Sequence, residues 1–257
     1  MAIEGEGGPS STGFDFDVID VDAYERYRPD YSPLAVTWLV EAARLSADAP
    51  VLDLAAGTGK LTRLLVAAGL QVVAVEPSRA MRTKLAELLP GVRVLDGTAE
   101  AIALPASAVG AITVGQAFHH FHPDRALAEI HRVLWPGGTL ALFWNVYRQG
   151  DSIRSALDAM IDRYVDPDSA VCAAFGAWPK AFEATDLFSS AGQRSFPHRH
   201  TLPSEHLATV MATSSDVASL PAARRDAPLE EIRSLAETLP VEVEMPAETR
   251  VDLYLRT

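Results

Sequence analysis

The chain has 257 residues, 48% hydrophobic and 22% charged, enough to bury one large core or a core with an appended subdomain. A formal net charge of -12 and a pI near 5.0, with no Lys/Arg-rich run to offset them, exclude nucleic acid as the expected partner, because a phosphate backbone would be repelled. The single Cys172 excludes an intramolecular disulfide and a thiolate zinc site and reads as a small apolar filler.

Residues 1–13 are rich in Gly, Ser, Pro and Glu and have almost nothing to bury, so a mobile leader is expected there, with one domain over 14–257. No run approaches the roughly 18 apolar residues of a membrane span. No basic and then apolar block marks a signal peptide, so the expectation is a cytoplasmic, membrane-free protein, monomer or homodimer. Residues 34–45 carry Leu34, Trp38, Leu39, Ala42 and Leu45 at helical spacing behind Pro33, which suits an early helix position.

Short apolar runs follow at 51–54, 72–75, 92–95, 111–114 and 139–144, alternating with helical patterns at 61–68, 80–89 and 125–134. Strands apolar on both faces and separated by crossover helices predict a doubly wound, mostly parallel α/β sheet, Rossmann-like. After Asn145 the pattern predicts helices at 153–164, 180–190, 204–213 and 229–239, forming a cap over 146–257. Candidate strands near 194–201 and 250–256 are expected to pair as an antiparallel hairpin at the edge of a seven-stranded sheet. His198 and His200 fall on one strand face and read as a polar surface pair.

The segment 51–59, VLDLAAGTG, is an apolar strand entering a small-residue turn before a helix. In open α/β sheets ligands lie beyond the C-terminal strand ends, and Gly57 and Gly59 are expected to clear space for one. Nineteen positions after Gly57 the second strand ends in Glu76, placed to accept hydrogen bonds from ribose hydroxyls. A Walker A loop would need Gly at 54 and Ser or Thr at 61, where Leu54 and Leu61 stand, so ATP is disfavoured. A dinucleotide fingerprint would want Gly at 62, where Thr62 stands, leaving NAD a weak alternative. Asp53 before the turn would disfavour a pyrophosphate and suits a ligand bearing an ammonium and a sulfonium.

Together VLDLAAGTG, VVAVEPS at 72–78, DGTAEAIALP at 96–105, and GQAFHHF with RVLWPGGTLALFWN within 115–145 resemble the class I S-adenosylmethionine-dependent methyltransferases. The likeness is to the broad group that includes quinone-biosynthesis C-methyltransferases and trans-aconitate-type carboxyl methyltransferases. It implies a cofactor-binding part over 24–145, with S-adenosyl-L-methionine as cofactor and S-adenosyl-L-homocysteine as product. It implies that Asp53, Ala55, Ala56, Gly57 and Gly59 lie beside the methionyl part, Ala55 standing where the commonest family pattern has Gly. It further implies that Glu76 binds the ribose, that Pro77 and Met81 flank the adenosine, and that Thr98, Ala99 and Glu100 line the adenine edge. Gln116 and Ala117 would sit under the methyl donor, and Tyr24, Arg28 and Tyr31 in YERYRPDYSP would cover the cofactor.

Methyl transfer needs an aligned nucleophile, and a base only when the acceptor is a hydroxyl or acidic carbon. His119 and His120 follow the fourth strand and are the candidate catalytic residues, as base or as positioning donor; the alternative is loop packing. Phe118, His122, Trp144, Asn145 and Tyr147 are candidate contacts for a small-molecule acceptor at O, C or N. No carboxylate cluster accompanies the histidines, so no metal is expected. An S-adenosylmethionine-binding protein without methyl transfer is the alternative function.

Overall fold

The computed structural model describes residues 18–148 and 150–257. The expected leader at 1–13 lies outside the described residues, as does the side chain of Cys172. The first described helix, α1 (Val21–Tyr27), is capped by Asp20, whose carboxylate accepts from the Ala23 N–H at 2.9 Å. Helix α2 (Pro33–Ala42) starts with its proline in the first turn, where the missing N–H costs nothing.

Then come β1 (Val51–Leu54), α3 (Lys60–Ala67), β2 (Val72–Val75), α4 (Arg79–Leu88), β3 (Arg93–Leu95), β4 (Val109–Gly115), α5 (Pro123–Val133) and β5 (Leu134–Tyr147). The second half holds α6 (Ser152–Asp162), α7 (Ala170–Glu183), β6 (Phe188–Pro203), α8 (Leu207–Ala212), α9 (Ser215–Ala218), α10 (Ala222–Ala236) and β7 (Glu242–Arg256). The seven strands are ordered β3-β2-β1-β4-β5-β7-β6. β1 to β5 are parallel, and β7 pairs antiparallel with both β5 and β6.

Alternate side chains of the parallel strands feed two separate cores, which is why those strands are apolar throughout. Leu52, Leu54, Ile112 and Leu140 pack with Ile130 of α5 on one face, while Val51, Ala111 and Phe143 meet Leu39 of α2 and Leu65 of α3 on the other. A third core joins Leu157 of α6, Met211 of α8 and Ile232 of α10 to Val243 and Met245 of β7. Because Tyr147 pairs with Ala247, these β7 residues extend past the C-terminal end of β5, and the late helices collect there.

Three sequence expectations change. The helix expected at 180–190 ends at Glu183, and Phe188 opens β6. Pairing with β7 from Phe188↔Arg256 to Pro203↔Glu242 satisfies the backbone where local apolar spacing suggested a helix. The late strands are correspondingly longer than 194–201 and 250–256. His198 and His200 are not a surface pair: His200 is buried and His198 half-buried, both bonded to the end of β5 as described below.

Candidate active site

Beyond the C-terminal ends of β1 and β4 lies a narrow slot. Its floor is Asp53, buried and accepting from the hydroxyls of Thr62 at 2.6 Å and Thr113 at 2.9 Å. Burial pushes the Asp53 carboxyl up to about 6, against the lowering effect of those hydroxyls. The turn above it needs left-handed backbone at Ala55 (φ 55) and Gly57 (φ 57). A side chain at Gly57 would project into open space, whereas one at Gly59 (φ 89) would meet Leu85 and Leu89 of α4 at 3.0 and 3.1 Å. Gly57 thus borders open space, whereas at Gly59 a side chain would press on Leu85 and Leu89.

Glu76, at the end of β2, accepts from the N–H groups of Gly57 at 2.8 Å and Ser78 at 2.9 Å. Desolvation raises its carboxyl to about 7. Tyr24, Arg28 and Tyr31 close the slot from the α1 side. Gly115 is required beneath Tyr31, since a Cβ there would lie 2.5 Å from the phenol oxygen. Lys60, in an ion pair with Asp30 at 2.9 Å, and the buried, unpartnered Thr58 hydroxyl complete the lining.

Gln116 and Asn145 line both this slot and a second, wider cleft of about 470 Å³. The Asn145 amide is fixed by four partners. Its oxygen accepts from Thr249 at 2.8 Å and sits 3.0 Å from His198 Nε2; its nitrogen donates to the carbonyls of Asp30 at 3.2 Å and Pro29 at 3.5 Å. Tyr147, two residues on, bonds His200 Nδ1 at 2.8 Å.

A family profile described as a methyltransferase domain matches residues 52–142. An uncharacterized methyltransferase of Mycobacterium tuberculosis is 38% identical over 220 residues, covering 86% of this chain and 85% of that protein. A methyltransferase-like protein of Schizosaccharomyces pombe is 31% identical over 224 residues, covering 86% of each. A solved structure from Anaeromyxobacter dehalogenans, provisionally described as a type II methyltransferase, shares the fold with a TM-score of 0.64 at 24% identity, covering 90% of this chain and 97% of that one.

The chain belongs to the class I methyltransferases. Of the residues expected at the cofactor of this methyltransferase, Tyr24, Arg28, Asp53, Ala55, Ala56, Gly57 and Gln116 line the slot together with Tyr31. Met81 is buried against Ile19 and Tyr24, and Ala99 lies in the core. Glu100 accepts from the His122 N–H at 2.8 Å, and Pro77 is exposed at the start of α4. Thr98 forms a lone bridge with Ala101, while Ala117 packs against the first core just before the 3-10 turn 118–120.

Among the acceptor candidates, Trp144, Asn145 and Tyr147 line the cleft. Phe118 does not: it is fully buried among Phe121, Trp178 and Phe182, and His122 lies outside the lining as well. His119 and His120 are buried with ring centroids 3.9 Å apart, and neither lines slot or cleft. Burial lowers them to about 2 and about 4, so both stay neutral. His119 backs Trp144 at 5.8 Å. Sequence reasoning missed Arg148, Arg154, Trp178 and Arg250 of the cleft wall; no local motif marks them, because four separate segments contribute them.

Proposed function

We propose that the slot binds S-adenosyl-L-methionine and that the enzyme transfers its methyl group to a small molecule held in the adjoining cleft. The observation that carries this reading is the buried Asp53 carboxylate under a turn whose Gly57 leaves open space. A desolvated carboxylate there favours a cationic ligand, and Arg28 in the same lining suits the carboxylate of a methionyl group. Glu76 would take the ribose hydroxyls, with Pro77 and Met81 flanking the adenosine and Thr98, Ala99 and Glu100 along the adenine edge. Tyr24, Arg28 and Tyr31 would cover the methionyl end. Residues 24–145 would then form the cofactor part and 146–257 the cap.

The cofactor supplies an already activated methyl group on sulfonium. The chain's own task is alignment, which is worth on the order of 7–11 kcal/mol of barrier. Gln116 and Asn145 stand where slot and cleft meet, and their mutual bonds hold that junction: the Asn145 N–H donates to Gln116 Oε1 at 3.2 Å and Gln116 Nε2 donates to the Asn145 carbonyl at 3.4 Å. Neither His119 nor His120 reaches the cleft, which supports transfer by alignment over transfer through those rings.

Calorimetry with S-adenosylhomocysteine tests the cofactor step, and a search for metabolites that gain a label from methyl-labelled cofactor tests the transfer. Saturable binding and a labelled small molecule are expected. Absence of binding would overturn the reading.

A further inference from the structure

A cation-rich, aromatic-walled cleft is unexpected in a protein of net charge -12. The charged residues of the lining itself are Arg148, Arg154, Arg250 and Asp158, three cations to one anion, with Asp252, 3.3 Å from Arg250, and Asp216, which interacts with Arg154, outside that lining. Low-dielectric walls concentrate such a local field despite the opposite charge of the whole. Resting on the reading that the neighbouring slot holds the cofactor, we propose that the cleft selects an aromatic acid. Its anionic group is taken by Arg154 and Arg148, and its ring lies along the wall formed by Trp144 and Trp178.

Arg154 is fixed in advance of any ligand. Its Nε and Nη2 donate to the Asp158 carboxylate at 3.0 and 2.5 Å, and its guanidinium carbon stands 4.5 Å from the centre of the Tyr147 ring. Tyr147 is itself held by a chain of bonds with one possible polarity. His200 Nε2 is 2.8 Å from the Tyr27 carbonyl oxygen, which can only accept, so Nε2 carries the hydrogen and Nδ1 is bare. Nδ1 therefore takes the Tyr147 hydroxyl hydrogen at 2.8 Å. Burial keeps His200 neutral by lowering it to about 4, which preserves this arrangement at neutral pH.

A guanidinium has five N–H donors in one plane. Asp158 engages two of them and the Tyr147 side chain a further one; those left over can meet a carboxylate without the entropy cost of first ordering the side chain. Arg148, exposed at the end of β5, has no ion-pair partner among the described residues. Trp144 and Trp178 stack at 5.0 Å and 21°. The Trp144 indole N–H is buried behind this wall and has no acceptor among the described residues. The cleft volume of about 470 Å³ suits a molecule of one or two rings.

The test is calorimetry on the intact protein with benzoate, cinnamate and salicylate, each paired with its neutral amide, with and without saturating S-adenosylhomocysteine. The acids are expected to bind saturably and the amides at least tenfold more weakly. Arg154→Gln should reduce acid affinity about tenfold, and Arg148→Gln, at an exposed position that folding does not depend on, should reduce it in the same direction. Amides binding as tightly as acids, no acid binding at all, or acid affinity unchanged in the folded Arg variants would each overturn the proposal. S-adenosylhomocysteine is titrated alone in parallel. If the acids bind and S-adenosylhomocysteine does not, the cofactor reading fails and the cleft assignment stands, whereas if S-adenosylhomocysteine binds and the acids do not, only the cleft assignment fails.

Discussion

Asp53 lies buried at the floor of the slot, and its burial makes a measurable demand on stability. Its folded pKa, about 6, lies above the ordinary value of 3.8, so the folded state holds the proton more tightly than the unfolded chain. The resulting stabilisation is complete below about pH 4 and is lost as pH rises through 6. At 1.36 kcal/mol per unit the loss is on the order of 2–3 kcal/mol. Glu76, raised to about 7, acts in the same sense, while His120 and His200, lowered to about 4, act in the opposite one, their contribution disappearing as pH falls. Asp53→Asn isolates the carboxylate: its melting temperature should gain on the parent between pH 5 and 8, and parallel curves for the two proteins would show that Asp53 is not desolvated. The glycines divide just as sharply. Spacing alone could not show which of Gly57 and Gly59 faces a ligand, because that depends on where the absent Cβ would point. Gly57→Val and Gly59→Val carry similar left-handed strain, about 1–3 kcal/mol each. The difference between them therefore reads their surroundings. Gly59→Val, pressed on Leu85 and Leu89, should melt several degrees below Gly57→Val, while Gly57→Val should be the variant that loses S-adenosylhomocysteine affinity without extra destabilisation. Equal melting temperatures and equal affinities would contradict the assignment.

Strands β1, β2 and β4 were legible in sequence within a residue or two because they are largely buried on both faces and mostly apolar, with Asp53 and Thr113 the polar exceptions. The later elements were not. Most of β6 is exposed on the outer edge, so its residues carry little apolar signal, and its existence depends on a partner, β7, that is remote in sequence. That remote pairing also explains why His198 and His200 read as surface residues and prove to be joined to β5. The Asn145 amide is the tie between strand ends and the 29–30 segment that covers the slot, since it bonds Thr249 of β7, His198 of β6 and two carbonyls of that segment at once. Asn145→Leu keeps the volume and removes all four contacts, leaving buried polar partners unsatisfied at a cost on the order of 2–3 kcal/mol. Both the melting temperature and S-adenosylhomocysteine affinity should fall. A loss of stability with unchanged affinity would show that the covering segment does not depend on this tie.

At the scale of the molecule, the fold and the residues that line the slot were legible because they are built largely from one ordered half of the chain, where strand, turn and acid recur at readable intervals. The cleft was not, because its arginines come from the end of β5, from α6 and from β7, and each taken alone is an ordinary solvated charge. The two ends also differ in field. Asp53 is the one carboxylate in the slot lining among the described residues, and it favours a sulfonium and opposes a pyrophosphate at the floor, while Arg148, Arg154 and Arg250 line the cleft. S-adenosylmethionine, which carries a positive sulfur, should gain over the neutral-sulfur S-adenosylhomocysteine only while Asp53 is ionised. The ratio of their affinities should therefore shrink as pH falls from 8 through 6 toward 5, and Asp53→Asn should make that ratio independent of pH. Among the described residues no group of three or more His, Cys, Asp or Glu side chains is arranged to hold a metal ion. A chelator is accordingly expected to leave both affinities unchanged, and a large excess of NAD or ATP to displace neither ligand. Competition by NAD would mean that a dinucleotide enters over Asp53 against its charge. A constant affinity ratio across the pH range would mean that Asp53 does not face the sulfur, and the cationic-ligand argument for the slot would fail with it.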